Sequence, residues 1–232
     1  MKKKILITGG CGYIGSCLGN YFSDKYEVIT LDKRKKNIFL SKKIKHYICN
    51  LLDQNKLKKI LAKVKPDAVV HLAGQSTIDL VDKKKNEYYK NNVLATNILV
   101  KIIKKLEIPK FIFSSTAAIY NKSKGTLKET SKIKSKNSYG LSKIKCEKIL
   151  IKNFKLSKTS YCILRFFNVA SSLREKKIGE LHNPETHLIP ILINALYYKK
   201  NIQIYGNNYD TKDGTCLRDY IHISDILTGI EK

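Results

Sequence analysis

A glycine-rich turn between a short apolar run and a helical segment is the feature that most constrains this chain. Residues 8–15 read Thr-Gly-Gly-Cys-Gly-Tyr-Ile-Gly. In a turn of this spacing one glycine permits a tight bend, one lets a pyrophosphate approach the backbone, and one allows close helix–strand packing. The helix N-terminus that follows offers N–H groups and a positive dipole end to an anion. The turn therefore predicts dinucleotide contacts from Gly9, Gly12, Tyr13, Ile14 and Gly15.

Asp32 at the end of the second apolar run supports a dinucleotide site. A carboxylate at that position suits the hydroxyl groups of an adenosine ribose and repels a 2′-phosphate, which favours NAD over NADP. Arg34 and the lysines beside it weaken that preference. A simpler alternative stays open, in which the glycines only form a turn and Asp32 is a surface residue.

Short apolar runs alternate with helical patterns as far as about residue 168. The predicted strands are 3–8, 27–31, 44–49, 67–72, 110–114 and 160–166, and the predicted helices are 12–22, 57–64, 87–106 and 138–154. This alternation predicts an α/β fold with a Rossmann-type, doubly wound parallel sheet. We divide the chain into a domain at 1–170 and a partial C-terminal region at 171–232. The latter has a helix near 188–198, a strand at 202–205 and the start of a helix at 226–232.

The net charge of +26 does not by itself indicate a protein that binds nucleic acid. Only four of the 45 basic residues are arginines, at positions 34, 165, 174 and 218, and the lysines are spread along the whole chain. Because nucleic-acid binders favour arginine forks, we predict no specific nucleic-acid partner.

No apolar run approaches the ~20 residues of a membrane span. The six cysteines are scattered and form no Cys-x-x-Cys pair, which predicts no metal and a reducing, cytoplasmic location.

A tyrosine and a lysine four residues apart on a predicted helix carry the candidate chemistry. The spacing occurs three times, at Tyr21/Lys25, Tyr120/Lys124 and Tyr139/Lys143. Only Tyr139 opens a helix after a strand that ends in hydroxyl side chains, at residues 114–116. A phenol titrates near 10, and a nearby ammonium and a nicotinamide cation both favour the phenolate. Tyr139 could then take a proton from a substrate hydroxyl while hydride leaves the same carbon.

Several longer strings resemble the extended short-chain dehydrogenase/reductase family, and within it the enzymes of nucleotide sugars. They are 8–16 (TGGCGYIGS), 71–74 (HLAG), 88–93 (YYKNNV), 113–120 (FSSTAAIY), 139–143 (YGLSK), 165–168 (RFFN) and 205–222 (YGNNYDTKDGTCLRDYIH). The last string is the most specific. Ala117 and Ala118 stand where sugar 4,6-dehydratases have an acid pair. The resemblance thus implies NAD-dependent epimerisation at C4 of a UDP-hexose, UDP-glucose or UDP-galactose, through a 4-keto intermediate.

The resemblance also implies a role for individual residues. Tyr139 would remove the proton of the sugar 4-hydroxyl, Thr116 would hydrogen-bond O4, and Lys143 would hold the ribose and tune Tyr139. Besides the glycine turn and Asp32, the implied NAD contacts are Tyr139, Lys143, Asn50, Leu51, Leu72, Ala73, Gly74, Asn91 and Phe167. The implied nucleotide-sugar contacts are Thr116, Asn168, His187, Leu188, Tyr205 and Arg218. A homodimer is the usual assembly of such enzymes.

Three departures and an early endpoint leave alternatives open. Asn50 replaces the usual aspartate, Ser76 stands where some members have a lysine, and His187 replaces an asparagine of well-known members. Family members continue beyond residue 232 with the part that completes the UDP pocket, so the chain resembles a C-terminally truncated member. One alternative is another nucleotide-sugar epimerase or reductase on this scaffold. The other is an NAD-binding remnant without activity.

Other polar residues are interpreted as structural. His71 ends a predicted buried strand, so we expect its ring to be satisfied by backbone atoms. Asn91 and Asn92 either tie strands to the long helix or contact the cofactor.

Overall fold

The computed structural model describes residues 1–76, 85–120, 125–180, 182 and 185–232. Within it the chain forms two compact units, Met1–Phe166 and Phe167–Lys232. The predicted boundary after residue 170 falls inside the second unit. Lys124, of the pair that begins at Tyr120, lies outside the described residues.

Six parallel strands form the sheet of the first unit. They are β1 (Lys4–Thr8), β2 (Glu27–Asp32), β3 (Lys45–Ile48), β4 (Ala68–His71), β5 (Lys110–Thr116) and β6 (Ser160–Phe166). Their order is β3-β2-β1-β4-β5-β6, which confirms the predicted doubly wound, Rossmann-type sheet. The order reverses between β1 and β4. In such sheets ligands bind outside the carboxyl ends of the strands at this switch point.

Helices cover the sheet of the first unit. They are α1 (Tyr13–Phe22), α2 (Gln54–Val64), α3 (Lys85–Tyr88), α4 (Ala95–Lys105) and α5 (Ser138–Phe154). A π-helical turn, Tyr89–Leu94, joins α3 to α4, and a 3₁₀ turn, Ala117–Ile119, follows β5. Leu6, Val69 and Phe111 on the central strands are fully buried. Strands enclosed on both faces have continuous apolar runs, which is why the sequence pattern predicts them well.

The second unit contains two short strands and two helices. β7 (Asn168–Ala170) pairs in parallel with β8 (Tyr220–His222), and the helices are α6 (Leu188–Tyr197) and α7 (Ile223–Glu231). The predicted strand at 202–205 is wrong. These residues pair with no strand in the described part of the chain, and Tyr205 is 82% exposed.

The last helix begins earlier than the predicted start at residue 226. His222 precedes α7, and its Nδ1 accepts the Ser224 N–H at 3.2 Å, so the imidazole caps the helix. Among the described residues, no helix combines the length and the apolar character needed to span a lipid bilayer.

Candidate active site

The glycine turn joins β1 to α1 and packs against the segment that follows β4. Gly9 has φ +72°, and a Cβ on it would lie 2.7 Å from the backbone nitrogen of Ala73. A Cβ on Gly15 would overlap the carbonyl oxygen of Gly9. Gly12 precedes α1 without a side chain to cap it. The backbone of the helix N-terminus therefore lies open at the edge of the sheet, in a cradle that side chains would fill and that fits a pyrophosphate.

Asp32 is buried at the end of β2 and is fully hydrogen-bonded. Its carboxylate accepts the Cys11 N–H at 3.1 Å, the Arg34 N–H at 3.0 Å, and Arg34 Nε and Nη2 at 3.1 Å each. Burial opposes ionisation, but the hydrogen bonds and charge of Arg34 lower the pKa of Asp32 below its ordinary value. Because a carboxylate offers about four acceptor sites, ribose hydroxyls must displace part of the Arg34 fork.

The residues predicted around adenine and along the cofactor differ in environment. Asn50 is exposed, and its side-chain oxygen accepts the N–H of Leu52 at 3.0 Å. Leu51 packs into the hydrophobic core, so its backbone is the part available to a ligand. Leu72 and Ala73 are half-buried, and Gly74 is exposed.

The three predicted catalytic residues come together where α5 meets the carboxyl end of β5. Tyr139 and Lys143 share one face of α5, as the four-residue spacing predicts. A side-chain hydrogen bond joins Tyr139 to Thr116. Nζ of Lys143 donates to the carbonyl oxygen of Ser114 at 2.8 Å, and it lies 3.8 Å from the position of a Cβ on Gly74.

The pKa of Tyr139 moves in the direction opposite to the sequence-based expectation. Burial raises the pKa of Tyr139 to about 12, and the hydrogen bond with Thr116 offsets only part of that rise. The ammonium of Lys143 lies against the Ser114 carbonyl and 4.8 Å from the centroid of the Phe113 ring. Burial therefore dominates, and the phenol is protonated at neutral pH in this structure. Burial also lowers the pKa of Lys143.

A ladder of three contacts links α5 to the helical stretch that contains the π turn. Its pairs are Tyr88 with Tyr139, Asn92 with Ser142, and Thr96 with Cys146. The ring centroids of the first pair are 6.0 Å apart, a 3.0 Å hydrogen bond joins the second, and a 3.7 Å sulfur–oxygen contact joins the third. Residue numbers rise together on both sides, so the two helical segments run in the same direction. No motif in the sequence predicted this helix ladder.

Asn92 also holds the segment after β4. Its Oδ1 accepts the Gln75 N–H at 2.7 Å, and its Nδ2 donates to the Gln75 carbonyl at 3.2 Å. A Cβ on Gly74 would lie 2.9 Å from the same Oδ1. Asn92 is thus the asparagine that ties the loop to the helices. Asn91 is half-buried, and its cofactor contact stays a prediction.

An ion pair behind the candidate catalytic residues was also missed. Arg165 Nη2 lies 2.9 Å from Glu147 Oε2, and Arg165 Nε donates to Glu147 Oε1 at 3.2 Å. Ser115 Oγ donates to the same Oε1 at 2.5 Å, and Arg165 Nη1 donates to the Tyr120 hydroxyl at 2.8 Å. A usable signal existed, because Glu147 follows Tyr139 by two four-residue steps on one helix.

His71 is structural, but its partners are side chains. The ring is fully buried, with Nδ1 2.7 Å from the Thr8 hydroxyl and Nε2 2.9 Å from the Thr96 hydroxyl. Burial lowers the pKa of His71 to about 3, with a smaller contribution from the charge of Lys143. The imidazole is therefore neutral and crosslinks β1 to α4 through β4, whereas the sequence analysis expected backbone partners.

Asn168 and Arg218 are brought into neighbouring positions in the second unit. The pairing of β7 with β8 sets Asn168 beside Asp219, whose carbonyl accepts the Asn168 side-chain amide at 2.8 Å. Arg218 precedes Asp219 and is exposed, with Nη1 donating to the Leu217 carbonyl at 2.8 Å.

The other residues predicted for this unit lie on separate segments. Phe167 begins the unit and is exposed, as is Tyr205. Leu188 is the exposed first residue of α6, and His187 immediately precedes that helix.

Comparison with known proteins identifies the family. The model of the NAD dependent epimerase/dehydratase family matches residues 5–232. The chain belongs to this family. It is 38% identical to the UDP-glucose 4-epimerase of Mycoplasma genitalium, over 98% of this chain and 70% of that protein. It is 36% identical to the UDP-glucose 4-epimerase of Halalkalibacterium halodurans, over 97% of this chain and 69% of that protein.

Solved structures of epimerases have the same fold. The UDP-glucose 4-epimerase from Brucella ovis in complex with NAD matches with a TM-score of 0.91 and 30% identity, over 97% of this chain and 71% of that chain. The enzyme from Bifidobacterium longum in complex with NAD⁺ and UDP matches with a TM-score of 0.91 and 30% identity, over 99% of this chain and 73% of that chain. NAD is the cofactor of this epimerase/dehydratase family, and the glycine cradle of the present chain fits it.

Proposed function

We propose that this chain is an NAD-dependent isomerase that inverts C4 of a UDP-hexose and interconverts UDP-glucose and UDP-galactose. The observation that carries the proposal is the hydrogen bond between Tyr139 and Thr116 at the carboxyl end of β5. That end of the sheet is also where the glycine turn follows β1. The UDP-glucose 4-epimerases that match almost the whole chain support the same reaction.

Tyr139 and Thr116 act on the sugar hydroxyl. Thr116 hydrogen-bonds O4 and orients the hydroxyl, and Tyr139 takes its proton as the C4–H bond breaks. Bound NAD supplies the acceptor and the donor of the hydride. The resulting 4-keto sugar then rotates within the site. When the hydride returns to the opposite face, Tyr139 gives the proton back, and no net oxidation occurs.

Lys143 makes this proton transfer accessible near neutral pH. A phenol with a pKa of about 12 is a poor base at pH 7, because its phenolate fraction is minute. The Lys143 ammonium, held next to Gly74 and the carbonyl of Ser114, can stabilise the phenolate and hold the ribose.

The residues after Thr116 argue against dehydration. Ala117 and Ala118 form the 3₁₀ turn there and bring no carboxyl group. Elimination of water from a sugar needs an acid and a base beside the leaving hydroxyl. Epimerisation needs only the proton relay through Tyr139 and the hydride carrier.

The finer assignments complete the proposal. The domain at 1–170 binds NAD through the cofactor set named from the sequence, and the region at 171–232 contributes nucleotide-sugar contacts. Arg218 suits the diphosphate, because its guanidinium can donate two parallel hydrogen bonds. A homodimer and a cytoplasmic location belong to the same proposal, and six cysteines that form no disulfide are compatible with a reducing compartment.

Turnover of UDP-galactose to UDP-glucose by the purified, NAD-loaded chain tests the function. Tyr139→Phe should abolish turnover and leave NAD bound, whereas Tyr161→Phe on the outer part of β6 should have no effect. Full turnover by Tyr139→Phe would show that another base operates. A chain that binds NAD but converts no sugar would support the remnant alternative. Cofactor that exchanges at each turnover would support a reductase.

A further inference from the structure

Two carboxylates and two imidazoles converge in the second unit, in what we term the 180–187 cluster. Its members are Glu180, His182, Glu185 and His187. The two glutamate side chains are only 11% and 13% exposed. Nδ1 of His187 lies 3.3 Å from Glu180 Oε1, and Nδ1 of His182 lies 3.5 Å from the same oxygen. The function proposed above gives Glu180, His182 and Glu185 no role.

The spacing of three donor atoms matches a metal coordination shell. Glu180, His182 and His187 each offer one ligand atom, and the three atoms lie within 4.8 Å of one another. Two ligands bound at ~2.0–2.1 Å to a tetrahedral ion lie about 3.4 Å apart. The 3.3 and 3.5 Å separations from the Glu180 oxygen correspond to two edges of such a tetrahedron. Small side-chain adjustments are therefore enough to coordinate an ion.

The charge of the cluster favours a divalent cation. With neutral imidazoles, the two carboxylates bring two negative charges into a largely enclosed space, which is costly without compensation. In the part of the chain that the structure describes, their ion-pair partners are the two imidazoles and no lysine or arginine. This holds although the chain has a net charge of +26.

Glu185 fixes the backbone that carries both imidazoles. One carboxylate oxygen accepts the N–H groups of Thr186 at 2.8 Å and His187 at 2.9 Å, and the other accepts the His182 N–H at 3.2 Å. Glu185 Oε1 also lies 2.8 Å from His187 Nδ1. Glu185 is thus a positioning residue that holds the backbone of both imidazoles, and its contact with His187 Nδ1 would be given up when that nitrogen binds the metal.

We propose that Glu180, His182 and His187 form a binding site for a divalent transition-metal ion, with Zn²⁺ as the preferred occupant. Two imidazole nitrogens and one carboxylate oxygen suit Zn²⁺, and three protein ligands leave a fourth position open for water or another oxygen ligand. The absence of a Cys-x-x-Cys pair predicted no metal, but the donors of this site are imidazoles and a carboxylate. His187 is also in the proposed nucleotide-sugar set, but metal binding is measured without any sugar.

Titration of the purified full chain with Co²⁺, followed by its visible absorption and by displacement with Zn²⁺, tests the site. The expected result is one Co²⁺ per chain in a four-coordinate environment of nitrogen and oxygen donors, displaced by Zn²⁺. His182→Ala and His187→Ala should each weaken Zn²⁺ binding about 100-fold or more, and Glu185→Gln about tenfold. Circular dichroism of the metal-free variants verifies that they are folded.

Matched controls separate this site from incidental metal binding. His222→Asn removes another imidazole of the same unit and keeps a capping oxygen for α7, so it should leave Zn²⁺ affinity unchanged. A double variant of the exposed thiols, Cys162→Ser with Cys216→Ser, should also bind normally. Absence of binding to the wild-type chain, wild-type affinity in both histidine-to-alanine variants, or loss of binding with the thiols would each overturn the proposal.

Discussion

The Lys143 ammonium donates to the carbonyl oxygen of Ser114, two residues before Thr116 on β5. Tyr139 is hydrogen-bonded to Thr116 itself. Both members of the tyrosine–lysine pair on α5 are therefore anchored to the same strand end. The helix and the strand cannot shift relative to one another without breaking these bonds, so the phenol and the ammonium keep a fixed relationship.

Lys143→Met should lower epimerase turnover at pH 7 by about 100-fold or more, because the buried phenol loses its cationic partner. The remaining turnover should increase with pH more steeply than that of the wild type, as the phenolate fraction grows. Lys148→Met, on the exposed side of α5, is the control. Turnover of Lys143→Met within threefold of wild type would contradict a catalytic part for this lysine.

Glu147→Gln should destabilise the protein by about 3 kcal/mol. Arg165 is only 19% exposed, and removal of its partner leaves a largely buried charge uncompensated. Glu107→Gln is the matched control, because the pair of Glu107 with Lys158 is exposed and contributes less than about 1 kcal/mol. Urea unfolding gives both free energies. An equal loss of unfolding free energy in the two variants would show that the Glu147–Arg165 pair contributes no more than an exposed ion pair.

Acid should destabilise the fold through His71. Its pKa is about 3 in the folded protein and about 6.5 when unfolded, so the unfolded state takes up the proton first. This stabilisation is complete above pH 6.5 and disappears as the pH falls towards 3, by about 5 kcal/mol in all. Urea unfolding of wild type and His71→Gln between pH 7 and pH 4 measures the difference in slope. Parallel pH profiles would assign the acid sensitivity to other groups.

Arg34→Met should strengthen NAD binding by about three- to tenfold. The guanidinium occupies acceptor sites on Asp32 that the ribose hydroxyls need, and methionine leaves those sites to exchangeable water. Isothermal titration with NAD measures the change, with Arg174→Met in the second unit as control. Weaker binding in Arg34→Met would mean that the guanidinium contributes a contact of its own to the ligand.

The elements that the sequence predicted best are those whose burial imposes a simple pattern. Val69 and Val70 lie in a strand enclosed on both faces, so an apolar run bounded by breakers was a sufficient signal. The segment at 202–205 has a similar local pattern, but a strand forms only where a neighbour pairs with it. β7 and β8 have three residues each, too few for any periodicity to appear.

The sequence motifs predict which residues form the candidate active site. They do not predict the hydrogen bonds and ion pairs around those residues. Spacing puts Tyr139 and Lys143 on one helix face, yet it cannot tell that the ammonium is directed to the Ser114 carbonyl. The Glu147–Arg165 pair joins a helix to a strand, so the spacing that puts Glu147 on the helix face of Tyr139 does not identify its partner. The 180–187 cluster consists of contacts between four side chains that follow no helix or strand periodicity, so no pattern in the sequence indicates it.

The π-helical turn has a consequence for the phase of the helix ladder. In an α-helix, residues four apart advance about 40° beyond a full turn, so a third residue would point about 80° away from the first. The wider π turn winds back part of this rotation and keeps Tyr88, Asn92 and Thr96 aimed at one neighbouring helix. Deleting one residue from Tyr89–Leu94 would let the stretch return to a regular α-helix, in which Tyr88 precedes Thr96 by seven residues and still points within about 20° of the same direction. The π turn thus accommodates one extra residue in this stretch without turning Tyr88 and Thr96 away from the neighbouring helix.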